Sequence, residues 1–80
     1  EALRFCESSG NYGAISPTGH YRGAYQFSRV TWDWIAGIDH PGLVGLDPAE
    51  VAPADQDVMA QSLYDFRGRG QWPVCGRYLP

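Results

Sequence analysis

The stretch CESSGNYGAISPTGHYRGAYQF, residues 6–27, holds one carboxylate, Glu7, and the next acidic residue after it is Asp33. It opens in a helical register. Leu3, Cys6 and Glu7 stand at i, i+3 and i+4, so on a helix they share one side, and Gly10 supplies a stop. Glu7 is therefore expected to end a short helix with its carboxyl group beside the apolar contact face. Residues 11–24 are rich in Gly, Ser, Pro and Tyr and lack a helical period, which reads as a loop or a small hairpin.

Beyond this stretch the pattern is helical twice more. A helix is predicted over residues 29–36, with Ser28 as its cap, Phe27 and Trp32 placed as a hydrophobic staple, and Gly37 as its end. Residues 37–54 read as connection, with a single helical turn at DPAEV in which Asp47 caps and Pro48 takes the first position. A last helix is predicted over residues 55–67, with Met59, Leu63 and Phe66 as its buried seam and Gly68 and Gly70 ending it. QWPVC then returns extended toward the start of the chain. The expected class is α+β but mostly α, with a short hairpin or irregular segment.

Eighty residues make one domain, and at this length a chain buries only about 60% of its unfolded surface, so the apolar core is thin. A bond between the two cysteines, Cys6 and Cys75, would close nearly the whole chain into a loop, worth about 4 kcal/mol in the chain-entropy model. The alternative is two unrelated buried thiols; small size favours an oxidised, extracytoplasmic domain. Net charge is −3 and all six basic residues are arginine, with no basic stripe for a phosphate backbone, which argues against nucleic acid. No apolar run approaches the length of a membrane span, and no export signal is present. Because a helical pattern starts at residue 1 without a cap, residues 1–80 are expected to be one domain of a longer secreted protein whose signal lies elsewhere.

Glu7 is a candidate general acid. Cleaving a glycosidic bond puts a proton on the leaving oxygen, and a carboxyl group serves near neutral pH only when desolvation raises its pKa toward ~6 to 7. The exposed carbonyls at a helix C-terminus push in the same direction. An ordinary solvated glutamate remains the competing reading of these residues. Tyr12, Tyr21 and Tyr25 follow the acid and offer flat faces for sugar C–H groups, although some must serve the core. Trp32 and Trp34 are about 200° apart around a helix. Trp32 is assigned to the core, Trp34 to a groove or partner surface, and Trp72 to packing.

The opening CES-G-N, the YRGAYQF turn followed by TW, and the closing WPVCG, taken in order, resemble the transglycosylase-like domain family. That family includes the resuscitation-promoting factors, small lysozyme-like domains of actinobacterial cell-wall enzymes. Glu7, Ser8, Asn11, Ala14, Ser16, Pro17, Gly19, Gln26 and Thr31 are also similar to the pattern of the soluble lytic transglycosylases, with one extra residue between Gly19 and Gly23. The resemblance implies a lysozyme-like fold, Glu7 as catalytic acid, a Cys6–Cys75 disulfide, and Gln26 on the rim of a glycan cleft. Asn11, Ser16, Thr18, Tyr21 and Tyr25 are candidates beside it. Ser9 stands where the family's CESGGN has a glycine, Tyr12 where many members have Trp, and Arg69 where several have Trp.

The implied activity is cleavage of the β-1,4 bond between N-acetylmuramic acid and N-acetylglucosamine in peptidoglycan, by a lytic transglycosylase or muramidase. The partners expected are glycan strands and a second cell-wall hydrolase, with the chain a monomer, secreted or wall-associated, using no metal or organic cofactor. Two-carboxylate glycosidases hold their pair about 5 to 9.5 Å apart. Residues 8–32 contain no Asp or Glu, so the second group is either a distant aspartate such as Asp33 or the sugar itself. The rival from another class is a wall-binding or signalling module without turnover. His20 and His40 are isolated, with no metal-ligand spacing. Asp47, Glu50, Asp55 and Asp57 lack the pattern of a calcium loop and read as solvated helix starts.

Overall fold

The computed structural model describes residues 2–72 and 74–78. Three α-helices carry the domain: α1 (Ala2–Ser8), α2 (Arg29–Asp39) and α3 (Pro53–Arg67). Short 3₁₀ turns lie at Pro41–Leu43, Arg69–Gln71 and Cys75–Tyr78. The described residues form no extended strand. The segment between α1 and α2 is the irregular alternative, with only isolated antiparallel bridges pairing Ile15 with Arg22 and Arg22 with Phe27.

Each helix has a local cause. Helix α1 is followed by Ser9 and Gly10, both at positive φ, and their N–H groups bond back to the Phe5 and Arg4 carbonyls. Ser9 sits at φ 57°, in the left-handed region that glycine enters most readily, which is a physical reason for the family's glycine there. The Ser28 hydroxyl accepts from Thr31 N–H to cap α2, and Phe27 meets Trp32 edge-on with ring centroids 5.1 Å apart. That is the staple expected from the sequence. Gly37 does not end α2, which runs on to Asp39. A Cβ added at Gly37 would meet no atom outside its own helix within 4 Å, and glycine costs a helix only about 1 kcal/mol when neighbouring residues hold it.

Helix α3 begins two residues earlier than predicted, with Pro53 in its first turn, and Gly68 at φ 73° closes it. The DPAEV segment forms a turn and no helix: Asp47 Oδ1 accepts from Ala49 N–H, and Asp47 O from Glu50 N–H. The predicted seam of α3 also needs correction. Met59 and Leu63 are buried, but Phe66 is half exposed and packs edge-on against Trp34. The inward face is Gln56, Met59, Ala60 and Leu63. The return to α1 is by 3₁₀ turns around buried Trp72 instead of an extended strand. Pro73 and the Arg69 side chain lie outside the described residues.

Leu3, Ala24, Tyr25, Phe27, Trp32, Ile35, Ala36, Met59 and Leu63 form the core with Trp72 and Cys75. Cys6 and Cys75 are bonded, with Cα atoms 5.7 Å apart and a sequence separation of 69. This ties α1 to the last 3₁₀ turn. Such a loop restricts the unfolded chain by about 4 kcal/mol in the entropy model. A seven-residue helix is too short to persist alone, so the crosslink and the burial of Leu3 are what hold it.

One polar side chain lies in the middle of this core. Gln56 is buried, its Oε1 accepts from Ala24 N–H at 2.9 Å, and its Nε2 donates to Tyr12 O and Val51 O, each at 3.0 Å. Gly23, at φ 86°, passes so close that an added Cβ would lie 2.6 Å from Gln56 Oε1 and 3.0 Å from Pro48 O. Replacing Gln56 by leucine keeps the volume and strands one buried and two partly buried backbone groups. At ~1 to 3 kcal/mol for the buried N–H and less for carbonyls that water can reach, a loss of about 2 kcal/mol or more is expected in urea unfolding. A loss under about 1 kcal/mol would remove the network from this role.

Candidate active site

Glu7 occupies the last turn of α1, between disulfide-bonded Cys6 and Ser8. Ser8 Oγ donates to Ala24 O at 2.8 Å and lies 3.2 Å from Arg4 O, which sews the end of α1 onto the loop that carries Tyr25 and Gln26. The Glu7 side chain is half-buried, and among the described residues nothing hydrogen-bonds or ion-pairs with it. Desolvation alone pushes its pKa above the ordinary 4.5. This is the direction a proton donor requires. Asp33 is occupied elsewhere, accepting from Gly45 N–H at 2.8 Å across the turn after α2.

The loop residues named from the sequence take different places. Asn11 is exposed, and its Oδ1 accepts from Gly13 N–H. The Ser16 hydroxyl accepts from Tyr21 N–H and lies 3.4 Å from the Thr18 hydroxyl, so both shape a local turn. Tyr21 is exposed. Tyr25 is buried, its hydroxyl donating to Asp57 Oδ1 at 2.7 Å, and Tyr12 donates to the same oxygen at 2.8 Å. Gln26 sits at φ 55°, with Nε2 donating to Gly23 O at 2.8 Å. Its Oε1 has no partner among the described residues.

Tyr21, Tyr25, Gln26, Thr31 and Trp72 line a small hollow of about 60 Å³, and Trp72 Nε1 donates to Tyr25 O at its base. A wider hollow of about 610 Å³ adjoins it, and Tyr21 and Ser28 line both. A third, along α1, is walled by Ala2, Arg4, Phe5 and Gly10. Glu7 lines none of the three. Among the described residues, no group of three or more His, Cys, Asp or Glu could hold a metal ion. No helix among them is long and apolar enough to cross a membrane.

Two carboxylates read as solvated helix starts are instead paired with side chains from distant segments. Besides the two phenols, Asp57 Oδ1 lies 3.5 Å from Arg4 Nη1. Asp47 Oδ2 accepts from Arg22 Nη1 at 2.7 Å and lies 3.4 Å from Arg29 Nη2. The missed signal at Asp57 was its neighbour: once Gln56 joins Met59, Ala60 and Leu63 on one face, the next residue must lie at that face's edge.

The family model described as Transglycosylase-like domain matches residues 1–75. The chain belongs to this family. Among relatives, the probable transglycosylase SceD of Staphylococcus aureus is 39% identical over 66 residues, alike in strains Newman, USA300 and COL. The match takes in 82% of this chain and 27% of the relative, so the chain spans about a quarter of the length of the curated relatives it matches.

In this transglycosylase-like domain two carboxylates respond to the fold in opposite senses. Burial works against the Asp57 carboxylate, but the hydroxyls of Tyr25 and Tyr12 and the Arg4 charge outweigh it and leave the pKa below the ordinary 3.8. Burial lifts the Tyr25 phenol to about 12, reinforced by its bond to Asp57. A lowered folded pKa means that the stability from Asp57 is present above 3.8 and lost as pH falls through the folded value. Asp57→Asn should then lower the neutral-pH melting temperature and flatten its fall on acidification. Glu7 has the raised pKa, so its charged form works against folding above 4.5. Glu7→Gln should melt at or above the parent temperature at pH 7, with the difference shrinking as pH falls through the raised folded value and nearly gone once it is below the ordinary 4.5. Melting curves across pH 3 to 7 check both, and a marked destabilisation of Glu7→Gln at neutral pH would count against a desolvated acid.

Proposed function

We propose that this domain has a lysozyme-like fold and cleaves the β-1,4 bond between N-acetylmuramic acid and N-acetylglucosamine in peptidoglycan, outside the cell or in the wall. Glu7 is the single acid/base. The observation that carries this reading is a half-buried carboxyl group whose pKa is raised by desolvation, with no cation or donor among the described residues to hold it ionised. Gln26 is the first candidate for glycan binding, because its Nε2 is anchored to Gly23 O and its Oε1, beside the hollow, has no partner among the described residues. Tyr21 supplies an exposed face along the same wall. Asn11, Ser16 and Thr18 shape the loop that presents them, and Tyr25 supports it from beneath.

The chemistry follows from having one carboxyl group. Glu7 gives its proton to the leaving glycosidic oxygen as the C1–O bond breaks, and the resulting carboxylate then takes a proton from the incoming nucleophile. If that nucleophile is the 6-hydroxyl of the same N-acetylmuramic acid, the product is a 1,6-anhydro ring and Glu7 ends protonated, ready for another cycle. If it is water, the product is a reducing end. Neither route calls for a second carboxylate, in keeping with Asp33 being bonded to Gly45. One observation favours a wall-binding module in place of an enzyme: Glu7 lines none of the hollows along the loop.

Turnover separates the two readings. Glu7→Gln keeps shape and hydrogen bonding but has no proton to give, so it should release muropeptides from purified walls at least about a hundred-fold more slowly than the parent. Mass spectrometry of the released material reads the product, anhydro ends marking ring closure and reducing ends marking hydrolysis. Equal release by the parent and Glu7→Gln would overturn the role of Glu7. Wall binding by both with release by neither would establish the binding module.

A further inference from the structure

The 610 Å³ hollow at the start of α2 has no task in the scheme above, and its charge is out of keeping with the rest of the chain. We propose that it is a subsite for the carboxylate of the peptide stem carried by the glycan strand, with Arg29 as the group that reads it. The proposal rests on the glycan-binding part of the function just described.

Charge and geometry support it together. Arg22 and Arg29 both lean on one carboxylate, Asp47, which leaves an excess of one positive charge in a chain whose net charge is −3. The two arginines are not equivalent. Arg22 is committed to the fold: its Nη1 is 2.7 Å from Asp47, its Nε donates to Gly19 O, and its side chain is 24% exposed. Arg29 is 53% exposed and touches Asp47 through one nitrogen at 3.4 Å, so most of its planar fork is open to a second carboxylate. The first turn of α2 contains no acidic residue to offset this, and the positive end of an eleven-residue helix adds to it.

Position selects the ligand. Tyr21 and Ser28 line this hollow and the small one beside Gln26, so a strand lying against Gln26 continues directly into the arginine pair. On such a strand each N-acetylmuramic acid bears a peptide ending in a carboxylate, which arrives tethered and therefore at high effective concentration. A phosphate polymer of the wall would have to enter independently, and an excess of one positive charge suits a single carboxylate better than a polyphosphate.

The test measures binding in the Glu7→Gln background, so that turnover does not intrude. Glycan strands carrying peptide stems are compared with the same strands after enzymatic removal of the stems. Adding Arg29→Ala should weaken binding of the stemmed strands by about three- to ten-fold, while stem-free strands change by less than about two-fold. Arg29→Lys, which keeps the charge and loses the fork, should fall between. An unchanged ratio of the two affinities in Arg29→Ala overturns the proposal. So does an Arg29 effect that appears only with walls retaining phosphate polymers. A shifted ratio supports the subsite even if the parent chain cleaves nothing, a result that counts against the glycosidase reading alone.

Discussion

The amide of Gln56 is the constraint from which the rest of the architecture follows. It sits fully inside the core, accepts from Ala24 N–H and donates to Tyr12 O and Val51 O, so one side chain of α3 fixes the loop after α1 at two points and the turn before α3 at a third. Such a bond contributes only about 1 kcal/mol net, but leaving any of these groups unpaired inside the domain costs more than making it contributes. The network is therefore all or none. It also explains the backbone at Gly23, where no side chain fits between Gln56 and Pro48. In an 80-residue chain with little apolar surface to bury, this polar tie does for an irregular loop what a ladder of hydrogen bonds does for a sheet.

The second dependence runs through α1. Seven residues make fewer than two full turns, and nothing in their own propensity would keep Glu7 in place. Four separate ties do so: the disulfide to Cys75, the Ser8 hydroxyl on Ala24 O, the burial of Leu3, and Arg4 facing the Asp57 carboxylate. They reach the loop, the core, α3 and the final 3₁₀ turn, so the acid is positioned by the whole domain. The same packing dehydrates its carboxyl group. Dehydration has two effects at Glu7: it lets the carboxyl group keep its proton to higher pH, and it makes the charged form costlier to the fold.

The distribution of arginine fits this scheme. Arg4 and Arg22 are both anchored on aspartates contributed by later segments, and each joins the loop region to the second half of the chain. Arg67 instead lies over the Trp34 ring at 4.6 Å, closing the far side of the α2–α3 contact together with Phe66. Arg29 differs from these in sharing an aspartate already engaged by Arg22, and it lines the wider hollow at the start of α2.

What the sequence determined by itself is whatever depends on near neighbours. The stop after α1, the Ser28 cap, the Phe27–Trp32 staple, the burial of Trp32 and the Gly68 terminus are decided by residues within a few positions of one another, and each was legible. The ordered motifs around Glu7 likewise named the family before any geometry was considered. Only tertiary structure decided that α2 passes through Gly37, that Phe66 leaves the seam of α3 for Trp34, and that Asp47 and Asp57 are anchors for distant arginines and tyrosines. For Phe66, Asp47 and Asp57 the reason is shared. An aromatic's place or an acid's partner is set by what stands opposite it, and here those partners come from segments 25 to 53 residues away along the chain.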